Sequence, residues 1–192
     1  MRLGVIVEGH GDVSAIPLLI RRVSVLLGKA MPDIPSPHRV PRSKFAKESE
    51  VRRAVELMAR KAGPDGPILL VLDADDDCPA QLGPCILEWA QNERRDRRIS
   101  VVMANREFEA WFLGAAHSLR GKRGLPGDLE PPLNPEDVRD AKGWISCRMP
   151  HGYSETIDQP ALAQSFDLDV ARRCCPSFDK LVRDLDRLLH DG

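Results

Sequence analysis

Apolar residues along the chain fall into two rhythms. Unbroken runs at Leu3–Val7, Ile68–Leu72 and Ile99–Met103 have the length of strands buried on both faces. Elsewhere apolar positions recur every three to four residues, which predicts amphipathic helices. Ile16, Leu19, Ile20, Val23 and Leu27 form one stripe within 13–27, and Val51, Ala54, Val55, Met58 and Ala62 another within 46–62. Further helices are predicted over 81–94, over 106–117 on Phe108, Trp111, Phe112 and Ala115, and over 177–190 on Phe178, Leu181, Val182, Leu185 and Leu188. Gly9 and Gly11 break the first strand, Asp12 is placed to cap the first helix, and Ser177 after Pro176 reads as an N-cap. The proline-rich stretch 29–43 reads as a loop with a short strand near Val40.

Strands alternating with helices, each strand continuously apolar, predict an α/β fold with a mostly parallel sheet flanked by helices. That pattern holds over residues 1–118. Beyond it, 120–135 is rich in Gly and Pro, and short helices are predicted near 135–142 and 160–173. Residues 119–192 thus read as a loop followed by a small helical C-terminal segment packing on the core. The length, 192 residues, fits a single domain.

Charge narrows the function classes. Twenty-eight Lys and Arg against 29 Asp and Glu give a formal net charge of −1, so the chain is not a polycation that coats phosphates with its whole surface. A hydrophobic fraction of 42% supports a core rather than disorder. No apolar run reaches the length of a membrane span, and an acid at Glu8 argues against a signal peptide. Five cysteines, an odd number without framework spacing, suit reduced thiols and a cytoplasmic setting. Cys78 and Cys85 lack the spacing and the second pair of a zinc site, and no Gly-x-Ser-x-Gly elbow is present.

The informative feature is where the acids fall. In a parallel sheet, ligands bind beyond the carboxyl ends of the strands. Glu8 follows the first strand, Asp73 and Asp75 the second, and Glu107 and Glu109 the third. Clustered carboxylates raise one another's pKa, and a hard cation such as Mg²⁺ or Mn²⁺ relieves them with oxygen ligands. Alternate residues of an extended strand share a face about 6.5 Å apart, so Asp73 and Asp75 can reach one ion or two neighbouring ones, and Asp77 continues the alternation if the chain stays extended. Glu107 and Glu109 lie roughly 200° apart on an α-helix, so one ion binding both requires an irregular start. Taken singly, acids in a turn or in the first turn of a helix need no ligand; three strand ends together point to one.

Basic residues cluster locally. Residues 39–61 hold eight Lys or Arg against three acids, and Arg39, Arg42, Lys44 and Lys47 lie in the predicted loop, where they could hold phosphates of a nucleic acid. The run Arg94–Arg98 reads as a solvated helix end.

Val7-Glu8-Gly9-His10-Gly11-Asp12 followed by Leu72-Asp73-Ala74-Asp75-x-Asp77 resembles the signature of the TOPRIM domain of topoisomerases, primases and overcoming-lysogenization-defect nucleases. Arg106-Glu107-Phe108-Glu109-Ala110-Trp111-Phe112-Leu113 and Pro176-Ser177-Phe178-x-x-Leu181 resemble a compact, stand-alone TOPRIM-like family of unknown function. The resemblance spans nearly the whole chain and implies a TOPRIM/Rossmann-like sheet. It implies Glu8 as a metal ligand or general acid/base, Asp12, Asp73 and Asp75 as metal ligands, Glu107 or Glu109 as a further acid, and Asp77 less firmly. It also implies an ATPase partner and a role in phage defence. The topoisomerase function does not carry over, since the single tyrosine, Tyr153, falls in a predicted loop; no Gly-x-x-x-x-Gly-Lys-Ser/Thr motif supplies an ATPase in this chain.

The expected function is a Mg²⁺- or Mn²⁺-dependent phosphodiester hydrolase acting on nucleic acid, with Glu8, Asp73 and Asp75 catalytic. The alternative is a non-catalytic, partner-binding module of an ATPase complex. Nucleotidyl transfer would need a nucleotide site that the sequence does not reveal.

Overall fold

A computed structural model describes residues 1–190. Strands β1 (Gly4–Val7), β2 (His38–Arg39), β3 (Ile68–Asp73) and β4 (Ile99–Ala104) form one all-parallel sheet in the order β2-β1-β3-β4. Helix α1 (Asp12–Leu26) links β1 to β2, and α2 (Arg42–Phe45) and α3 (Glu48–Ala62) link β2 to β3. The chain therefore leaves β1 towards one edge and returns across it to the other side. Helix α4 (Pro79–Glu93) joins β3 to β4. After β4 come α5 (Ala110–Gly114), α6 (Ala141–Ser146), α7 (Asp158–Ala163), α8 (Leu168–Cys174) and α9 (Pro176–Leu188). Among the described residues no helix is long and apolar enough to cross a membrane.

The unbroken apolar strands bury both faces because successive side chains point to opposite sides. Val5, Val7, Leu69, Val71, Val102 and Ala104 join one core with α1 and α9; Ile6, Leu70, Leu72, Val101 and Met103 join a second with α3 and α4. The first core also takes in Leu125, Ile145, Leu162, Phe166 and Leu168, so the segment after 118 shares its interior with the sheet.

The chain after β4 departs from the predicted helix over 106–117. Arg106 adopts φ +63°, regular α-helix is confined to α5, and a 3₁₀ turn follows at Ala116–Leu119. Packing supplies the reason. Phe108, Trp111 and Phe112 are all buried with Phe166 and Phe178, and neighbouring ring centroids lie 4.7–5.5 Å apart in tilted or edge-on contacts. The Phe108 N–H, which a helix would have left at its first turn, donates to Asp73 Oδ1 at 2.8 Å.

Ser177 does not cap α9, which starts from Cys175 without a side-chain cap. Its hydroxyl donates to Glu136 Oε1 at 2.5 Å and accepts from Trp111 Nε1 at 2.8 Å and Asn105 N at 3.2 Å. A buried indole and carboxylate need that partner more than a helix end that begins with proline. The cysteines are free thiols, and only Cys175 of the vicinal pair is buried.

Trp111→Ala removes the centre of the aromatic cluster together with a hydrogen bond. We expect a loss of about 3–5 kcal/mol and a fall in Tm of roughly 10 °C, read by thermal denaturation.

Candidate functional site

The strand order reverses between β1 and β3, and the crevice beyond their carboxyl ends is the position where an open parallel sheet binds ligands. Glu8 follows β1, and Asp73 is the last residue of β3. Their side chains are each only 16% exposed. Glu8 Oε2 is buried without a hydrogen-bond partner, and its nearest cationic atom, Arg42 Nη1, stands 3.9 Å away. Burial pushes the Glu8 carboxyl up to about 7, against the pull of Arg42. Asp73 accepts from Phe108 N through Oδ1, and its Oδ2 lies 3.7 Å from Lys142 Nζ. Burial, followed by the charges of Glu109 and Asp12, holds Asp73 well above the usual carboxylate range.

Asp12 and Glu109 complete the cluster from positions far apart along the chain. Asp12 is the first residue of α1 and does not cap it; its Oδ2 accepts from Gly9 N and its Oδ1 from Gln159 Nε2, both at 2.8 Å. Burial raises its pKa in spite of these bonds. The irregular stretch before α5 turns Glu109 fully inward, where Oε1 accepts from Tyr153 OH at 2.8 Å and Oε2 has no partner. Burial pushes Glu109 up to about 7. Glu107 is separated from it: its Oε2 accepts from Lys142 N at 2.9 Å.

The extended Asp-x-Asp-x-Asp alternation is not formed. β3 ends at Asp73, Ala74 is buried, and Asp75 takes φ +50° with its N–H bonded to Arg106 O. The turn is forced because Ala74 N still pairs with Ala104 O at the end of β4, after which no partner strand remains. Asp75 and Asp77 nonetheless reach the site, at its exposed rim, through Arg42. Asp75 Oδ2 lies 3.7 Å from Arg42 Nε, and Asp77 hydrogen-bonds Arg42 Nη2.

Arg42 is thus drawn into the acids rather than held out in a loop. It opens the one-turn helix α2, and its guanidinium also donates to Asp73 O at 2.8 Å and Ala74 O at 3.2 Å. Arg39 Nη1 donates to the Glu8 carbonyl at 3.3 Å. Lys44 pairs with Glu50 at 3.4 Å, and Lys47 is exposed. In the run 94–98, read as solvated, the Arg97 side chain is 5% exposed.

Three residues that carry no motif stand inside the site: Lys142, Tyr153 and Gln159. Burial opposes the charge on Lys142, but Glu109, Asp73 and Glu155 outweigh it and hold its pKa above the ordinary value. Gly11 lets the 155–159 segment approach, since a Cβ there would lie 1.9 Å from Gln159 Oε1 and 2.3 Å from Glu155 O. No spacing in the sequence marks these residues, because only tertiary packing brings them to the strand ends.

The donor set is all carboxylate oxygen, as a hard divalent cation requires, and the buried, unpartnered Glu8 Oε2 and Glu109 Oε2 are oxygens such an ion would satisfy. Among the described residues, however, no three His, Cys, Asp or Glu side chains converge at metal-ligand spacing. The donors fit a cation in chemistry; Arg42 and Lys142 supply the positive charge between them.

A raised folded-state pKa means that Glu8 binds its proton more tightly folded than unfolded. The stabilisation is complete below pH 4.5 and is lost as pH rises through about 7. Glu8→Gln, permanently neutral, should therefore be more stable than wild type at pH 8 by about 1–3 kcal/mol and gain nothing at pH 4.5. Denaturant unfolding of the metal-free proteins at the two pH values checks this.

Comparison with curated proteins and with solved structures finds no match. A family model described as a domain of unknown function, DUF4276, matches residues 7–186, a span that includes every acid of the site. The chain belongs to the DUF4276 family.

Proposed function

We propose that this protein is a divalent-metal-dependent phosphodiester hydrolase acting on nucleic acid. The observation that carries the reading is the pair of buried, unpartnered carboxylate oxygens, Glu8 Oε2 and Glu109 Oε2, in the cluster that raises Asp73 at the switch point of the sheet. Support also comes from the resemblance of the Glu8–Asp12 and Asp73–Asp77 segments to the TOPRIM signature, and from the carboxylate clusters that phosphoryl-transfer sites use. The ATPase partner and the role in phage defence belong to the reading through that resemblance alone.

Glu8, Asp73 and Glu109 would hold Mg²⁺ or Mn²⁺, with Asp12 and Asp75 beside them, and the ion would supply Lewis-acid charge and an activated water. Glu8 would either hold the ion or, left outside its coordination, take a proton near neutral pH, since burial pushes its metal-free carboxyl up to about 7. Lys142 holds its charge beside Asp73 and can meet a phosphate without being neutralised. Arg39, Lys44 and Lys47 flank Arg42 along the chain and would follow the backbone of the substrate outward.

A second reading, a partner-binding module with a silent acid cluster, draws on the positive charge that Arg42 and Lys142 already place among the acids and on the absence, among the described residues, of three convergent ligands. Calorimetry with Mn²⁺ and Mg²⁺, followed by labelled single- and double-stranded DNA and RNA, separates the two. Under the hydrolase reading the wild type binds metal and cleaves, and an Asp73→Ala/Asp75→Ala variant does neither. Failure of the wild type to bind at millimolar metal would leave the partner-binding module. Arg42→Gln sharpens the comparison: freeing Glu8, Asp75 and Asp77 from their internal cation should tighten Mn²⁺ binding about tenfold or more while lowering the Tm of the metal-free protein.

A further inference from the structure

The segment between α6 and α7, together with the first turn of α7, touches the acids through Tyr153 and Gln159, which the proposed chemistry does not itself use. We propose that Tyr153 and Gln159 are positioning residues, which fix Glu109 and Asp12 so that each presents a defined oxygen to the site; this rests on the metal-dependent reading above.

Each contact acts on one oxygen. Tyr153 OH donates to Glu109 Oε1 at 2.8 Å, and Oε2 of the same fully buried carboxylate is left without a partner. The phenol O–H is the donor in this contact, since an ionised carboxylate can only accept. Gln159 Nε2 donates to Asp12 Oδ1 at 2.8 Å inside the protein while Gly9 N holds Oδ2, so the plane of the carboxylate is set from both sides. Each Asp12 oxygen keeps a second lone pair for a ligand.

The segment is itself held rigidly. Tyr153 N donates to Ser146 Oγ at 3.1 Å and Ser154 N to Asp158 Oδ2 at 2.9 Å. Arg123 Nε donates to the other oxygen of buried Asp158 at 2.9 Å, and Glu155 Oε1 lies 3.2 Å from Lys142 Nζ. Gly11 admits the segment against the start of α1, where any Cβ would strike the Glu155 carbonyl. Four anchors thus hold a tyrosine and a glutamine against two acids.

Stability alone gives a weak reason for such pairs. Buried polar pairs commonly contribute no more than apolar side chains of the same shape. Outer-sphere hydrogen bonds to ligating groups, by contrast, typically set metal affinity over a 10–100-fold range.

The experiment is Mn²⁺ calorimetry on the full chain, with Tm of the metal-free protein measured alongside, for wild type, Tyr153→Phe, Gln159→Leu and Leu181→Ala. The last empties part of the core on α9 and calibrates what a loss of stability alone does to binding. Tyr153→Phe and Gln159→Leu should each weaken Mn²⁺ binding at least tenfold while Leu181→Ala, at an equal or larger loss of Tm, stays within threefold of wild type. Affinities of the two variants that only follow the Tm series of Leu181→Ala would overturn the positioning role and leave the metal site standing. A wild type that takes up no Mn²⁺ would overturn the metal-dependent reading and the inference with it.

Discussion

Burying Asp73 at the carboxyl end of β3 disfavours its charge by several kcal/mol unless the surroundings answer it, and the answers come from distant parts of the chain. Phe108 N, beyond β4, donates to one oxygen, and Lys142, on α6, approaches the other. Arg42, on α2, binds the carbonyls of Asp73 and Ala74 and gathers Glu8, Asp75 and Asp77 around the same point. Asp73 thus ties three connections of the fold together, two through its carboxylate and one through its carbonyl. The acids it collects would repel one another if these cations were withdrawn.

The same constraint couples the core to the site. Phe108 can spend its N–H on Asp73 only because its ring is locked among Trp111, Phe112, Phe166 and Phe178 in a chain of aromatic contacts. That packing replaces a regular helix start with an irregular turn, and the turn swings Glu109 into the interior while leaving Glu107 on the backbone of α6. An α-helix would have separated the two acids around its circumference in another way. Core geometry therefore selects which acid belongs to the cluster.

Charge balance gives the site its chemical character. Arg42 and Lys142 offset only part of the charge of Glu8, Asp12, Asp73, Asp75, Asp77 and Glu109, and Glu8 Oε2 and Glu109 Oε2 stay unbonded in the interior. A site finished for stability alone would pair these oxygens, because an unmet buried acceptor costs about 1–3 kcal/mol. Carboxyls held near 7 beside fixed cations suit proton transfer and the binding of phosphate or metal, which is the ground for reading the cluster as functional.

Much of this was legible along the chain. Three continuous apolar runs determined a parallel sheet covered on both faces, because strands without a polar face must be buried on both. Acids placed after those runs determined where charge would collect, because side chains at strand ends project into the crevice of the sheet. Local pattern failed where tertiary demands outweighed it. The aromatic cluster broke the helix expected over 106–117, Ser177 left its helix end for a buried indole and carboxylate, and the end of strand pairing turned the chain at Asp75. Lys142, Tyr153 and Gln159 carry no periodicity and no motif; they reach the acids only when the segment after 118 folds back onto α1, through the close approach that Gly11 allows. Periodicity records which face of an element is buried, whereas pairing between residues 44 to 147 positions apart is decided by packing, and so only the tertiary structure could supply it.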